Sequence, residues 1–300
     1  LASLALLAPA SAHGAIGDEQ AINYEPTFLF VDGSPGESVT ATIQVRNQTR
    51  SDASFTAALA DLAESPGSST AFDFVEPGEA RRGAGEWMTA DPEEFELAAG
   101  TERRVSIRIE IPDDAGAGGH FGAVVFSVEP AVDVGQFDVA YTTGIPVLVT
   151  VDGAFERDLR VRVRADERWM FSGGRAGWTV ELRNEGDVHE VISGRLRMDS
   201  VLSGSTSVAL RPGILLPGER RAEHVRVDVR SAPDIHRAHV RVKHDGAADV
   251  TATSPRMFVF PIWVLVVLFV AIAIVWVRIR TGGRRPMLDD ELDDEFRPAG

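Results

Sequence analysis

Cysteine is absent from the chain, which excludes disulfides, thiolate metal sites and cysteine nucleophiles at once. Lysine is almost absent: Lys243 stands against 29 arginines, a bias we read as genomic base composition. Helical periodicity is missing from everything before residue 257, so an amphipathic helical domain is not expected there. Charge is missing from residues 257–277, an unbroken apolar run of 21 residues. No G-x-S-x-G follows a strand, and the glycine run at residues 116–119 lacks the Lys-Ser/Thr of a phosphate-binding loop. Adjacent carboxylates such as Glu93/Glu94 and Asp113/Asp114 point apart in a strand, whereas glycosidase carboxylates must face each other. We therefore expect no enzyme, no catalytic residues, no cofactor and no metal.

The apolar run is the first thing present. As a helix it reaches roughly 31 Å, the thickness of a bilayer's hydrocarbon core. Fifteen of its residues are Val, Ile, Leu or Phe, and Trp263 and Trp276 lie near opposite ends, where indoles favour the interface. Residues 257–277 are thus predicted to span a membrane. Arg278, Arg280, Arg284 and Arg285 follow at once, while Arg256 alone precedes it back to Lys243. Basic flanks stay inside, which places residues 278–300 in the cytoplasm, the four arginines anchoring on anionic lipid. The acidic block at residues 289–295 is expected to be repelled from that lipid. Residues 1–12, apolar and closing in Ala10-Ser11-Ala12, read as the remnant of a signal peptide. The expectation is a single-pass protein of the cell membrane with its long N-terminal part extracellular.

That exterior divides by charge. Residues 17–153 carry 24 acidic and 7 basic side chains, and residues 154–256 carry 15 acidic and 18 basic. The outer part is strongly acidic and the membrane-proximal part slightly basic, an asymmetry that bears on partners before it bears on fold. It sets a boundary near Val151-Asp152-Gly153. Nucleic acid is not an expected partner of so acidic a chain.

Both halves are written in period two. Val39/Ala41/Ile43/Val45 and Val105/Ile107/Ile109/Ile111 alternate with polar residues in the first. Leu159/Val161/Val163, Trp178/Val180/Leu182, Val225/Val227/Val229 and Ala238/Val240/Val242 do so in the second. Such alternation means strands with one buried face. Turn chemistry separates them at Ser34-Pro35-Gly36, Pro112-Asp113-Asp114, Gly173-Gly174 and Pro217-Gly218. Residues 64–86, rich in Gly, Ser, Pro and Glu, read as a long surface loop. An internal repeat supports two similar units: a strand ends on Asn47 and another on Asn184. Leu97-Ala98-Ala99-Gly100 and Leu216-Pro217-Gly218 then precede alternating strands. The predicted fold is all-β, two tandem Ig-like β-sandwiches (17–153 and 154–255) before one C-terminal transmembrane helix.

At these residues the chain resembles the WxL-interacting protein family of Gram-positive bacteria, whose extracellular part carries a peptidoglycan-binding Ig-like domain. The matching features are Pro35-Gly36 before the strand ending in Asn47, Pro92 and Leu97 before residues 105–111, then Pro112 and the Gly118-Gly119-His120-Phe121-Gly122 hairpin. The resemblance implies a surface protein that holds other surface proteins against the wall, with peptidoglycan or wall polymer as partner. It carries no binding residue over to this sequence.

Three residue sets invite a site. Arg160, Arg162 and Arg164 alternate with Leu159, Val161 and Val163, which puts three guanidinium groups on one exposed face. Arg226, Arg230, Arg237, Arg241 and Lys243 are expected to extend that surface. An anionic partner, lipid headgroup or wall polymer, suits it; the plainer reading is a solvated sheet face. His236, His239 and His244 read as ordinary surface histidines, since residues three apart in a strand face opposite sides. Glu93, Glu94, Glu96, Asp113 and Asp114 match no calcium loop and serve solubility. The function expected is a membrane-anchored binding or scaffold protein contacting envelope components. The alternative is an Ig-like assembly chaperone or adhesin that pairs a strand edge with an exported client; no long exposed strand for that role is evident in the sequence.

Overall fold

The computed structural model describes residues 22–63, 73–79, 82–130, 141–244 and 248–282. The expected signal peptide at 1–12, Arg284, Arg285, the acidic tail and much of the 64–86 loop lie outside them.

Two β-sandwiches follow one another. The first comprises β1 (Ile22–Glu25), β2 (Leu29–Gly33), β3 (Ser38–Asn47), β4 (Ala53–Ala63), β5 (Asp73–Val75), β6 (Met88–Asp91), β7 (Glu94–Leu97), β8 (Glu102–Glu110), β9 (Gly118–Pro130) and β10 (Tyr141–Val151). One sheet runs β1-β3-β8-β6; the other runs β2-β10-β9-β4-β5, with β7 also on β4. The period-two residues meet across the first sheet: Val39 lies opposite Ile109, Ala41 opposite Ile107 and Ile43 opposite Val105. Such same-face pairs are the unit of sheet stability, and they close onto Phe55, Phe126, Ile145 and Val147 of the second sheet. Phe55 and Phe95 stack there, their ring centroids 5.1 Å apart. At the tight turn before β3, Gly36 adopts φ +79° and its N–H reaches Ile111 O at 3.0 Å.

The second sandwich comprises β11 (Leu159–Ala165), β12 (Trp169–Met170), β13 (Gly174–Asn184), β14 (Glu190–Ser200), β15 (Gly204–Leu215), β16 (Arg220–Val229), β17 (Asp234–Lys243), β18 (Val250–Thr253) and β19 (Met257–Val259). Its sheets run β11-β13-β16 and β12-β19-β17-β14-β15, with β18 also on β17. Trp178, Val180, Leu182, Leu196 and Val240 fill the core between them. The all-β, two-sandwich fold expected from the alternation is present. The loop expected over 64–86 is broken by β5 and by a single 3₁₀ turn at Gly85–Trp87, because Asp61, buried in β4, accepts the N–H groups of Gly78 (2.8 Å) and Gly85 (2.5 Å) and draws the segment onto the sheet.

The apolar run proves to be two elements. Residues 257–259 are β19, paired with β17 and β12, with Met257 and Val259 in the second core. The helix α1 spans Ile262–Gly282, directly after Pro261. The predicted start at 257 is corrected to 262: hydropathy scores a buried strand and a bilayer helix alike, and Pro261 marks where one becomes the other. The helix is long and apolar enough to cross a membrane, and its apolar stretch is not buried in the protein. Arg278 and Arg280 belong to its last two turns, Arg280 lying over the Trp276 ring at 5.1 Å.

The sandwiches dock through a third apolar cluster. Leu62, Phe121, Ala123 and Leu148 of the first meet Leu216 of the second, flanked by Phe28 and Ile214. Beside it, Arg82 Nη1 donates to Asp187 O at 2.7 Å and Arg82 Nη2 to Asp187 Oδ1 at 3.0 Å. Gly119 N donates to the same carbonyl at 2.9 Å. A Cβ on Gly119 would stand 3.2 Å from that oxygen, so glycine permits the close approach.

Candidate functional site: the arginine face of the second sandwich

Strand β11 alternates as its sequence dictates. Leu159 and Val163 are buried, and Arg160, Arg162 and Arg164 are exposed on the outer face of the three-stranded sheet. What the sequence did not disclose is their neighbours. Arg160 pairs in register with Arg183 of β13, and Arg183 with Arg220 of β16. Three arginines therefore stand abreast across three strands, their Cα atoms about 5 Å apart. Like charges directly opposite are unfavourable, and carboxylates offset part of this. Glu185 takes Arg160 Nε at 2.5 Å and Arg183 Nη1 at 2.8 Å, while Asp158 takes Arg160 Nη2 at 3.3 Å. Among the described residues, no carboxylate lies within ion-pair distance of Arg162 or Arg220.

A groove of about 530 Å³ opens on this row. Arg160, Arg162, Arg183, Arg220 and Arg221 line it against Glu181 and Glu185. The excess is positive, and the guanidinium forks suit bidentate oxyanions. Of the predicted residues, Arg160 and Arg162 line the groove. Arg164 lies beyond it, exposed, with Nη2 3.3 Å from Glu181. Arg183, Arg220 and Arg221 were missed; alternation within β13 and β16 was the available signal, but only strand order brings them beside β11.

The expected extension of the basic surface divides. Arg226 lies on the same sheet, in register with Gly177. Arg237, Arg241 and Lys243 belong to β17, in the opposite sheet, and face the other side of the sandwich; that part of the expectation is corrected. The histidine reading is corrected too. His236 is buried, its Nε2 3.6 Å from Asp234, and burial lowers its pKa below the usual imidazole value despite that carboxylate. The His244 side chain is also buried, Nδ1 lying 2.8 Å from Glu190 Oε2. His239 alone of the three is substantially open, its Nε2 3.6 Å from Asp199.

A second feature concerns a strand edge. In the first sandwich β2 covers only residues 147–151 of β10. Residues 141–146 pair with β9 on one side, and among the described residues no strand pairs with their other side. Across the core, the buried Tyr24 of β1 in the facing sheet hydrogen-bonds Thr143, and burial pushes its pKa up to about 12 against the opposing pull of that bond.

No family model matches the chain, and no curated protein matches it. Among solved structures it is similar to the class 5 fimbriae chaperone CfaA, at 12% identity and a TM-score of 0.44, over 78% of this chain and 99% of that one. It is similar to the E. coli chaperone DraB at 11% identity and a TM-score of 0.40, over 80% and 98%. A third is the CsuC–CsuE chaperone–tip adhesion subunit pre-assembly complex from Acinetobacter baumannii, at 10% identity and 0.42, over 78% and 99%.

Proposed function

We propose that this chain is a non-enzymatic, membrane-anchored binding protein of the cell envelope. Helix α1 holds it in the cell membrane, the two sandwiches stand outside, and Arg278, Arg280, Arg284 and Arg285 keep the C-terminus in the cytoplasm. Its ligand is an anionic envelope polymer, peptidoglycan or another acidic wall polymer, taken in the arginine groove. One observation carries this reading: the Arg160–Arg183–Arg220 row, with Arg162 beside it, gathers more positive charge than its own glutamates offset. The resemblance to WxL-interacting proteins supports the same class of partner, and adds other surface proteins held against the wall.

The test is co-sedimentation of the full chain in detergent with purified cell walls. Replacing Arg160, Arg162 and Arg220 by Gln should lower the bound fraction several-fold at low salt and flatten its salt dependence. Binding unchanged by the triple substitution removes the proposal.

The open half-edge of β10 favours a second reading, in which residues 141–146 accept a strand from an exported client. Under it, Thr143→Pro removes a backbone donor and abolishes client co-purification while leaving wall binding intact. Loss of neither activity excludes strand pairing at this edge.

A further inference from the structure

The end of the second sandwich nearest α1 carries an apolar collar. Outside α1, seven large hydrophobic side chains are exposed among the described residues: Phe30, Phe74, Trp169, Phe171, Val201, Leu202 and Ile235. Five of these, from Trp169 onward, converge on this one end. The register shows why. Val259, the last residue of β19, pairs with Asp234 at the start of β17, and Ser200 at the end of β14 pairs with His236. The β14–β15 turn that holds Val201 and Leu202 therefore lies two strands from the root of α1, about 10 Å away. On the other side, Trp169 stacks on Phe258 at 4.7 Å, and Phe171 O accepts Ile262 N at 2.9 Å.

Hydrogen bonds tie the collar in place. Asp234 accepts hydrogen bonds from Ser200 Oγ (2.5 Å), Ser203 Oγ (3.0 Å), Leu202 N (3.2 Å) and Ile235 N (2.8 Å). A carboxylate at the centre of the turn thus holds Val201 and Leu202 outward, at 72% and 71% exposure. The root of α1 is tied to the same end: Trp263 Nε1 donates to Ser231 O at 3.1 Å. Exposed Arg168 and Arg230 flank the apolar residues, an arrangement that suits apolar insertion beneath charged headgroups.

We propose that this collar is a second lipid-contact site. Trp169, Phe171, Val201, Leu202 and Ile235 enter the outer interfacial layer around α1, so the second sandwich sits on the bilayer rather than swinging above it. The occupant is membrane lipid because the collar is continuous with the helix surface that lipid covers. This inference rests on α1 spanning the membrane, and the experiment separates the two.

The chain has no cysteine, so single cysteines placed in the full chain take one nitroxide label each. Leu202→Cys and Phe171→Cys probe the collar, Phe269→Cys probes mid-helix, and Ala99→Cys probes an exposed turn of the first sandwich. After reconstitution in phospholipid nanodiscs, collisions with oxygen and with a water-soluble nickel chelate are compared. The collar labels should be shielded from the chelate several-fold relative to Ala99→Cys while remaining accessible to oxygen. If Phe269→Cys is shielded and the collar is as open as Ala99→Cys, the collar inference falls and the anchor stands. If all four are open, both fall. Dipolar broadening between collar labels without oxygen access would mean that a second copy covers the surface, and it too overturns the inference.

Discussion

Asn184 does in the second sandwich what Asn47 does in the first. Asn47 Nδ2 donates to Ser51 O and Leu97 O at 2.8 and 3.1 Å, and Asn184 Nδ2 donates to Val188 O and Leu215 O at 2.7 and 3.0 Å. Each Oδ1 accepts the backbone N–H two residues on, from Thr49 and from Gly186, both at 3.0 Å. Both side chains are fully buried. The repeated Asn is thus a buried clasp between a strand's end, its turn and the next strand-bearing segment. Replacing Asn184 by Ala strands the two carbonyls and the Gly186 N–H, at a cost of about 1–3 kcal/mol. Urea denaturation of the full chain in detergent should show the loss in the second sandwich, and Asn47→Ala should show it in the first. No change in either midpoint would refute the clasp.

Glu190 predicts a larger effect. Its carboxylate is fully buried between Arg157 Nη1 at 3.4 Å and His244 Nδ1 at 2.8 Å. Removing it by Glu190→Ala leaves the Arg157 charge without its partner in a partly buried site and should cost about 3–5 kcal/mol. Hydrogen exchange across β14 and β17 should quicken accordingly, while exchange in β3 and β8 stays as it was.

Acid should destabilise the second sandwich in two steps. Burial holds the His236 pKa below its ordinary 6.5, so the unfolded chain takes up that proton first as pH falls. Stability is full above 6.5 and is lost downward through the folded pKa. Burial pushes the Asp234 carboxyl up, but its bonds from Ser200, Ile235, Ser203 and Leu202 together outweigh this and hold it below 3.8. Its contribution is therefore lost only as pH falls below that value. Melting temperature measured from pH 7.5 to 3 should decline in both ranges, and His236→Gln should abolish the upper decline alone. A decline unaltered in the variant would assign it to another group.

The docking of the sandwiches rests on Phe121 and Leu216 more than on Arg82. Arg82–Asp187 is partly exposed, and such a pair contributes at most about 1 kcal/mol. Phe121→Ala removes a buried aromatic from the junction, at about 3–5 kcal/mol. Small-angle scattering should show a wider distribution of interdomain distances for Phe121→Ala and little change for Arg82→Ala. The reverse order would make the ion pair the hinge.

Much of the fold was legible because alternation is local. Val39, Ala41 and Ile43 face inward for the same reason that Arg160, Arg162 and Arg164 face outward: successive strand residues point to opposite sides. The Asn repeat was legible as well. Strands β9 and β10 were harder, since Ala123, Val124 and Phe126, like the residues from 145 to 151, are buried without alternating. A continuous apolar stretch of this kind signals two covered faces; here the second face is the interdomain junction with Leu216. The arginine groove was half legible. Arg160 and Arg162 could be placed on a face, but Arg183 and Arg220 reach them only through pairings 23 and 37 residues along the chain.

The sequence by itself determined the strand content, the existence of one long apolar helix near the C-terminal end, and the acidic and basic halves, because each depends on geometry or charge within a short window. Tertiary structure decided that residues 257–259 belong to a sandwich, that Arg237 and Arg241 lie away from Arg160, and that five exposed apolar side chains gather at the root of α1. Those facts depend on strand order and register. Many alternating strands satisfy the same local pattern equally well, and only packing of the whole sheet selects one pairing among them.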